Sequence, residues 1–214
     1  FRLTDSGAWD RYYGSTPHAG VWPYGLPELP GQRKHLTDAR QVANPGCYPT
    51  AAILSLQPLA AAGLLEPGII IDAKSGVSGA GKTPSERTHF SEVHGSIAAY
   101  GVFSHRHEAE IEQELGMDVT FVPHLVPLDR GILETIYARL TAGVDAAAIE
   151  RTLEAAYADS PFVRLTGKDL PEIKHVAHTN YCDIGWRVDQ PGGQLVMISC
   201  IDNLVKGAAG QAIQ

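Results

Sequence analysis

The sequence predicts a mixed α/β fold, a largely antiparallel sheet backed by helices. Apolar, β-branched runs at 68–75, 118–122, 131–140 and 194–202 read as strands. Stretches with helical spacing or helix-start signals follow Cys47, His107 and Asp145. Strands and helices do not alternate in the strict rhythm of an all-parallel sheet, so antiparallel pairing should dominate.

Each element follows from local composition. Phe1-Arg2-Leu3-Thr4-Asp5 reads as the end of a strand entering a loop. Residues 6–46 are rich in Gly, Pro, Trp and Tyr with little helical periodicity, and 18–28 reads as an ordered loop packed on the domain. A helix starting at Cys47 should bend or break near Pro58 and stop at Gly63. Residues 84–100 are polar and irregular, and 107–116 forms a short helix with an acidic outer face. Asp145 caps a helix to about Ala158, with Ala146, Ile149, Leu153 and Ala156 on one face. A further strand is expected at 162–165. The small-residue run 207–214 reads as a helix cut off mid-pattern, so the chain is expected to be an internal piece of a longer polypeptide.

Composition narrows the function. Of 214 residues, 19% are charged and 44% apolar, the balance of a soluble globular chain. A net charge of −7 argues against general nucleic-acid affinity, while a local basic pocket for a phosphorylated ligand stays open. No apolar run is long enough for a membrane span, and no secretory signal opens the chain. Cys47, Cys182 and Cys200 are far apart and odd in number, which fits a reducing cytoplasm better than a disulfide framework.

Cys47 carries the strongest chemical signal. Asn44-Pro45-Gly46-Cys47 leads into a helix, and Gly46 lets the chain turn sharply without crowding the sulfur. A thiol at a helix start faces free N–H groups and the positive end of the macrodipole, which should lower its pKa. The same N–H groups suit an oxyanion formed when sulfur adds to a carbonyl. The competing reading is a small buried hydrophobe.

Two other motifs bear on function. Gly76-Val77-Ser78-Gly79-Ala80-Gly81-Lys82-Thr83 matches the phosphate-binding pattern GxxxxGK[ST] after a buried strand. Such a loop must run into a helix, whereas Pro84 and the polar residues after it have no apolar helical face. What survives is a loop whose small side chains let backbone amides approach an anionic or planar ligand. Among nine histidines, His105 and His107 flank Arg106 at a loop-to-helix boundary. Either ring suits acid–base work beside Cys47, and Arg106 suits a carboxylate or phosphate. No HExxH or similar metal spacing occurs, so no metal is expected.

These blocks resemble the N-acetyl-gamma-glutamyl-phosphate reductase family along essentially the whole chain. The resemblance rests on 18–29, Asn44-Pro45-Gly46-Cys47-Tyr48-Pro49-Thr50, the loop from Ser75 to Gly81, His105-Arg106-His107 with Glu110-Ile111, His124-Leu125-Val126-Pro127 and 202–212. It implies an NADP(H)-dependent phosphorylating aldehyde dehydrogenase of arginine biosynthesis, cytoplasmic and homo-oligomeric as a dimer or tetramer. The implied reaction reduces N-acetyl-L-glutamyl 5-phosphate to N-acetyl-L-glutamate 5-semialdehyde and inorganic phosphate. It implies a catalytic domain similar to that of glyceraldehyde-3-phosphate dehydrogenase at 47–203. Residues 1–46 would then be the tail of an NADP-binding domain, and 204–214 a helix returning to it. By the same resemblance Cys47 is the nucleophile and His105 or His107 the acid–base group. Arg106 and Arg130 are the substrate-anion candidates. Ser75, Gly76, Ser78, Gly79, Ala80, Gly81 and Asn203 would lie by the cofactor. Cys182 and Cys200 are expected bystanders. The alternatives are a non-catalytic oligomerisation module and a P-loop nucleotide-binding protein.

Overall fold

Among the described residues seven strands make one sheet. They are β1 (Ile69–Gly76), β2 (Ala98–Ala99), β3 (Val119–Val126), β4 (Ile132–Arg139), β5 (Val163–Gly167), β6 (Cys182–Asp189) and β7 (Gln194–Ile201). Strands β1, β3 and β4 alternate in burial along most of their length. The computed structural model describes residues 1–14, 16–190 and 193–214. The sheet order is β2-β3-β1-β4-β7-β6-β5. Only β1/β3 and β5/β6 are parallel, and the other pairs are antiparallel, as the sequence predicts.

Eight helices accompany the strands among the described residues: α1 (Ser6–Tyr13), α2 (Gln32–Thr37), α3 (Cys47–Ala61), α4 (Phe90–Val93), α5 (His107–Leu115), α6 (Ala146–Tyr157), α7 (Ile173–Val176) and α8 (Gly210–Ile213). Helix α3 lies on one sheet face between α5 and α6, packed over β4 and β7. It is buried from Tyr48 to Leu56 and again at Pro58 and Leu59. A helix apolar on every side belongs in a core. The sheet face beneath it carries Ile71, Ala73, Ile132, Ile136, Leu195 and Met197, all buried.

Several local expectations change. Helix α3 continues through Pro58 instead of breaking there. Proline supplies no N–H to the Leu54 carbonyl one turn back, and the Tyr157 hydroxyl of α6 donates to that carbonyl instead. Residues 6–46 hold two short helices, and the first is capped by Asp5, whose carboxylate accepts the Gly7 and Ala8 N–H groups at 3.0 Å. Strand β6 escapes the sequence reading because Asp183, Arg187 and Asp189 break up its apolar pattern. In the fold Arg164 of β5 neutralises Asp183 with hydrogen bonds of 2.6 and 2.8 Å. On α6 the buried stripe is Ile149, Leu153 and Tyr157, while Ala146 and Ala156 are exposed. The expected acidic outer face of α5 is not what forms, since Glu108 and Glu110 are both buried.

Candidate active site

Cys47 is the first residue of α3, preceded by Gly46 in extended conformation, and its side chain is half-buried. Gly46 makes close approach possible, and the group that comes close is an imidazole. A Cβ on Gly46 would stand 2.5 Å from His107 Nε2 and 2.8 Å from its Cε1. Only a residue without a side chain fits there. On the other side Gly207 lies against Cys47, where an added Cβ would come within 2.7 Å of Cys47 Cβ.

The expected depression of the thiol pKa is not found. Burial pushes Cys47 up to about 11, with the nearby carboxylates of Glu134 and Glu110 adding to the rise. Hydrogen bonds from the Tyr48 and Cys47 amides pull the other way and are outweighed. Desolvation disfavours the charged form more than two N–H dipoles favour it.

His107 is buried, and its Nδ1 has no hydrogen-bond partner. Burial, and next the neighbouring His105, hold its pKa well below the usual histidine range. His105 lies with its ring centre 4.7 Å away, and its Nδ1 accepts the His107 backbone N–H at 3.2 Å. That bond makes His105 a helix-start cap and leaves the ring neutral; burial lowers its pKa to about 4. Tyr48, Tyr100 and Phe121 pack edge-on around His105, and Tyr48 does the same to His107. The Tyr48 hydroxyl lies 3.1 Å from the Tyr100 hydroxyl and 3.3 Å from the His124 carbonyl, within hydrogen-bonding reach of both. The structure thus brings His105 and His107 together among aromatic rings, with His107 packed on Gly46, the residue before Cys47.

The other residues singled out from sequence fare differently. Arg106 is exposed, its guanidinium 5.9 Å from the centre of the Tyr13 ring. Arg130 donates to the buried Asp202 at 3.2 Å and lies 3.0 Å from His178 Nδ1, so its charge is met within the fold. The amides of Gly76, Val77 and Ser78 already donate to the carbonyls of Gly131, Leu128 and Asp129. Asn203 accepts from Gly131 N at 2.7 Å and donates to Ser78 Oγ at 3.0 Å, while Ser75 Oγ donates to the Gly76 carbonyl. Gly79, Ala80 and Gly81 form the exposed edge of this loop. The strand before it ends in the 3-10 turn Val77–Ala80, and the next helical piece is the single turn Glu86–Thr88. A phosphate loop needs a helix N-terminus at that point, so the P-loop reading fails on geometry.

Two buried carboxylates were missed by sequence. Glu110 Oε1 accepts the Gly46 N–H at 2.8 Å and the Tyr24 hydroxyl at 2.7 Å, and its Oε2 lies 3.4 Å from Arg2. The signal existed: Glu110 stands three residues after His107, so both share one helix face. Glu134 points into the core from β4 with both oxygens unpartnered, and burial raises its pKa well above the carboxylate range. An isolated Glu within a strand leaves no trace of this in sequence.

Comparison with known proteins gives the family and the fold. A family profile described as "Semialdehyde dehydrogenase, dimerisation domain" matches residues 47–203. An N-acetyl-gamma-glutamyl-phosphate reductase of Dehalococcoides mccartyi is 48% identical over 225 aligned positions, covering 100% of this chain and 65% of that protein. One from Mycobacterium avium is 50% identical over 224 positions, covering 100% of this chain and 63% of that protein. The chain therefore spans just under two thirds of the length of these curated relatives. Among solved structures, aspartate semialdehyde dehydrogenase II from Vibrio cholerae superposes with a TM-score of 0.71 at 19% identity, covering 89% of this chain and 66% of that one. A probable aspartate-semialdehyde dehydrogenase from Pseudomonas aeruginosa gives a TM-score of 0.73 at 19% identity, over 94% of this chain and 69% of that one. At that identity the likeness is one of fold.

Proposed function

The chain belongs to the semialdehyde dehydrogenase family, and on that premise we propose that it is the catalytic portion of an N-acetyl-gamma-glutamyl-phosphate reductase. The proposed substrate is N-acetyl-L-glutamyl 5-phosphate, the products N-acetyl-L-glutamate 5-semialdehyde and inorganic phosphate, and the cofactor NADP(H). One observation carries the reading: a half-buried cysteine in the first turn of α3, with the His107 ring packed on the glycine before it.

The chemistry follows from the ionisation states. Thiol and imidazole both rest neutral, because burial raises the first and lowers the second. His107 Nε2, the ring atom nearest to where a Cβ on Gly46 would stand, is the proposed acceptor of the thiol proton. The sulfur then forms a bond to the acyl carbon, the bond from that carbon to the phosphate oxygen breaks, and His107 returns its proton to the departing phosphate. The product is a Cys47 thioester, a covalent intermediate that divides one hard step into two. N–H groups at the start of α3 face the oxygen on which charge develops. A positioned proton-transfer group of this kind contributes about 10²–10⁴ in rate.

Reduction of the thioester is assigned to no residue of this chain. The amides of Gly76, Val77 and Ser78 and both ends of the Asn203 side chain are bonded internally, so the exposed edge Gly79, Ala80 and Gly81 is the part of this loop proposed to face the cofactor. We assign 47–203 to catalysis and self-association, in line with the span of the family profile. We assign 1–46 and 204–214 to the junction with a nucleotide-binding region. In support, Asn44 Nδ2 donates to the Ala208 carbonyl at 3.1 Å and Gln211 Nε2 to the Gly25 carbonyl at 2.9 Å.

Incubation of the chain with N-acetyl-L-glutamyl 5-phosphate, followed by peptide mass analysis, tests the reading. An acyl adduct is expected on the Cys47 peptide and is lost in Cys47→Ser. Absence of any adduct on that peptide in the parent chain would overturn the assignment.

A further inference from the structure

Lys206 is fully buried and takes no part in the proposed chemistry. It lies in the π-helical turn Val205–Ala209, a backbone form that recurs at functional sites. Its Nζ donates to Glu28 Oε1 at 2.6 Å and to Gln214 Oε1 at 2.8 Å, and stands 5.7 Å from the centre of the Phe162 ring. The Glu28 carboxylate also accepts from Gln214 Nε2 at 2.7 Å. Either charge left alone in this enclosure would be strongly unfavourable, so the two groups hold each other in place. The residue after Lys206 is Gly207, whose backbone lies against the nucleophile. A Cβ there would come within 2.7 Å of Cys47 Cβ and 3.1 Å of Cys47 Cα.

We propose that Lys206 and Glu28 are positioning residues: their ion pair anchors the π-helical turn so that Gly207 is pressed against Cys47 and fixes how deeply the nucleophile sits. The inference rests on Cys47 being the nucleophile. It explains why a chain with a reactive thiol encloses an ammonium group nearby without aiming it at the sulfur. The ammonium works at one remove, through the backbone of the next residue. Releasing the turn lets water reach the sulfur and weakens the burial that holds the thiol neutral.

The test is peptide-resolved alkylation of Cys47 by iodoacetamide on this chain, from neutral pH upward. Lys206→Met and Glu28→Gln are each expected to move the alkylation midpoint to lower pH. The neutral-pH rate should rise by about threefold or more, the change that half a pH unit brings. Gly207→Ala leaves the ion pair intact, and it should shift the profile the same way by lifting the turn off Cys47. Leu153→Ala on α6 controls for lost stability: it should lower the melting temperature and leave the Cys47 profile at that of the parent. If Lys206→Met does not fold, Glu28→Gln and Gly207→Ala carry the test. A reactive Cys47 that is indifferent to every folded variant of the pair, or that shifts equally in Leu153→Ala, overturns the positioning role alone. A Cys47 inert in the parent overturns the nucleophile assignment and this inference with it.

Discussion

At Gly46 the absence of one carbon atom makes room for the His107 ring. Gly46→Ala would place a Cβ 2.5 Å from His107 Nε2. Overpacking of this kind costs about 1–3 kcal/mol, so denaturant unfolding should show a loss of that size and Cys47 adduct formation should slow. The ionisable residues give pH signatures of definite sign. His105 has a folded pKa of about 4 against an ordinary 6.5. Its contribution to stability is therefore present above pH 6.5 and lost as pH falls toward 4. The melting temperature should drop across that window, and by less in His105→Asn. Cys47 is raised from 9.0 to about 11, so its contribution is present below pH 9.0 and lost as pH climbs through about 11. Cys47→Ser should flatten that alkaline loss in a thermal melt. Sequence marked Cys47 through its position at a helix start, yet it misjudged the ionisation. Helix-end dipoles follow from neighbours in the chain, whereas desolvation follows from everything packed around them.

Helix α5 is the element that organises the cluster. It sets His107 over Gly46 and, one turn on, brings Glu110 to the Gly46 N–H. Gly46, at the start of α3, is thus held by consecutive turns of α5. Glu110→Ala would strand the Gly46 N–H and the Tyr24 hydroxyl, and a buried group without a partner costs about 1–3 kcal/mol. Glu110→Gln keeps an acceptor and should recover part of that stability, as read by urea unfolding. In α3 the Tyr157 hydroxyl serves the carbonyl that Pro58 leaves free. Tyr157→Phe should therefore destabilise by about 1–3 kcal/mol with little change in Cys47 alkylation. The element starts at Cys47 and His107 were legible because they depend on a few adjacent residues. The inward turn of Glu110 was not, because a carboxylate at a helix start also suits solvent and the dipole.

Across the whole molecule, helices α3, α5 and α6 pack on one face of the sheet, and partly exposed apolar side chains stand on the other. Ile70 and Tyr137 are register partners on β1 and β4, 43% and 38% exposed, with Val196 of β7 continuing the row. The family is described as a dimerisation domain, and this row is its proposed self-association surface. Ile70→Asp combined with Tyr137→Asp should lower the mass measured by light scattering while leaving the helical circular dichroism intact. Strands β1, β3, β4 and β7 were visible in sequence as apolar runs, though β3 continues past the expected 118–122 stretch through Pro123. Strand β6 was hidden because Arg164 neutralises its Asp183 from nineteen positions away. By itself the amino-acid sequence determined that Cys47 starts a helix, the mixed and mainly antiparallel character of the sheet, and the family. All of these rest on short-range patterns and ordered motifs. Only the tertiary structure decided that the thiol rests neutral, that Arg130 is committed to Asp202, and that Glu110 and Lys206 face inward. Those outcomes depend on enclosure and on partners 64, 72 and 178 positions apart in the chain, distances over which local pattern carries no information.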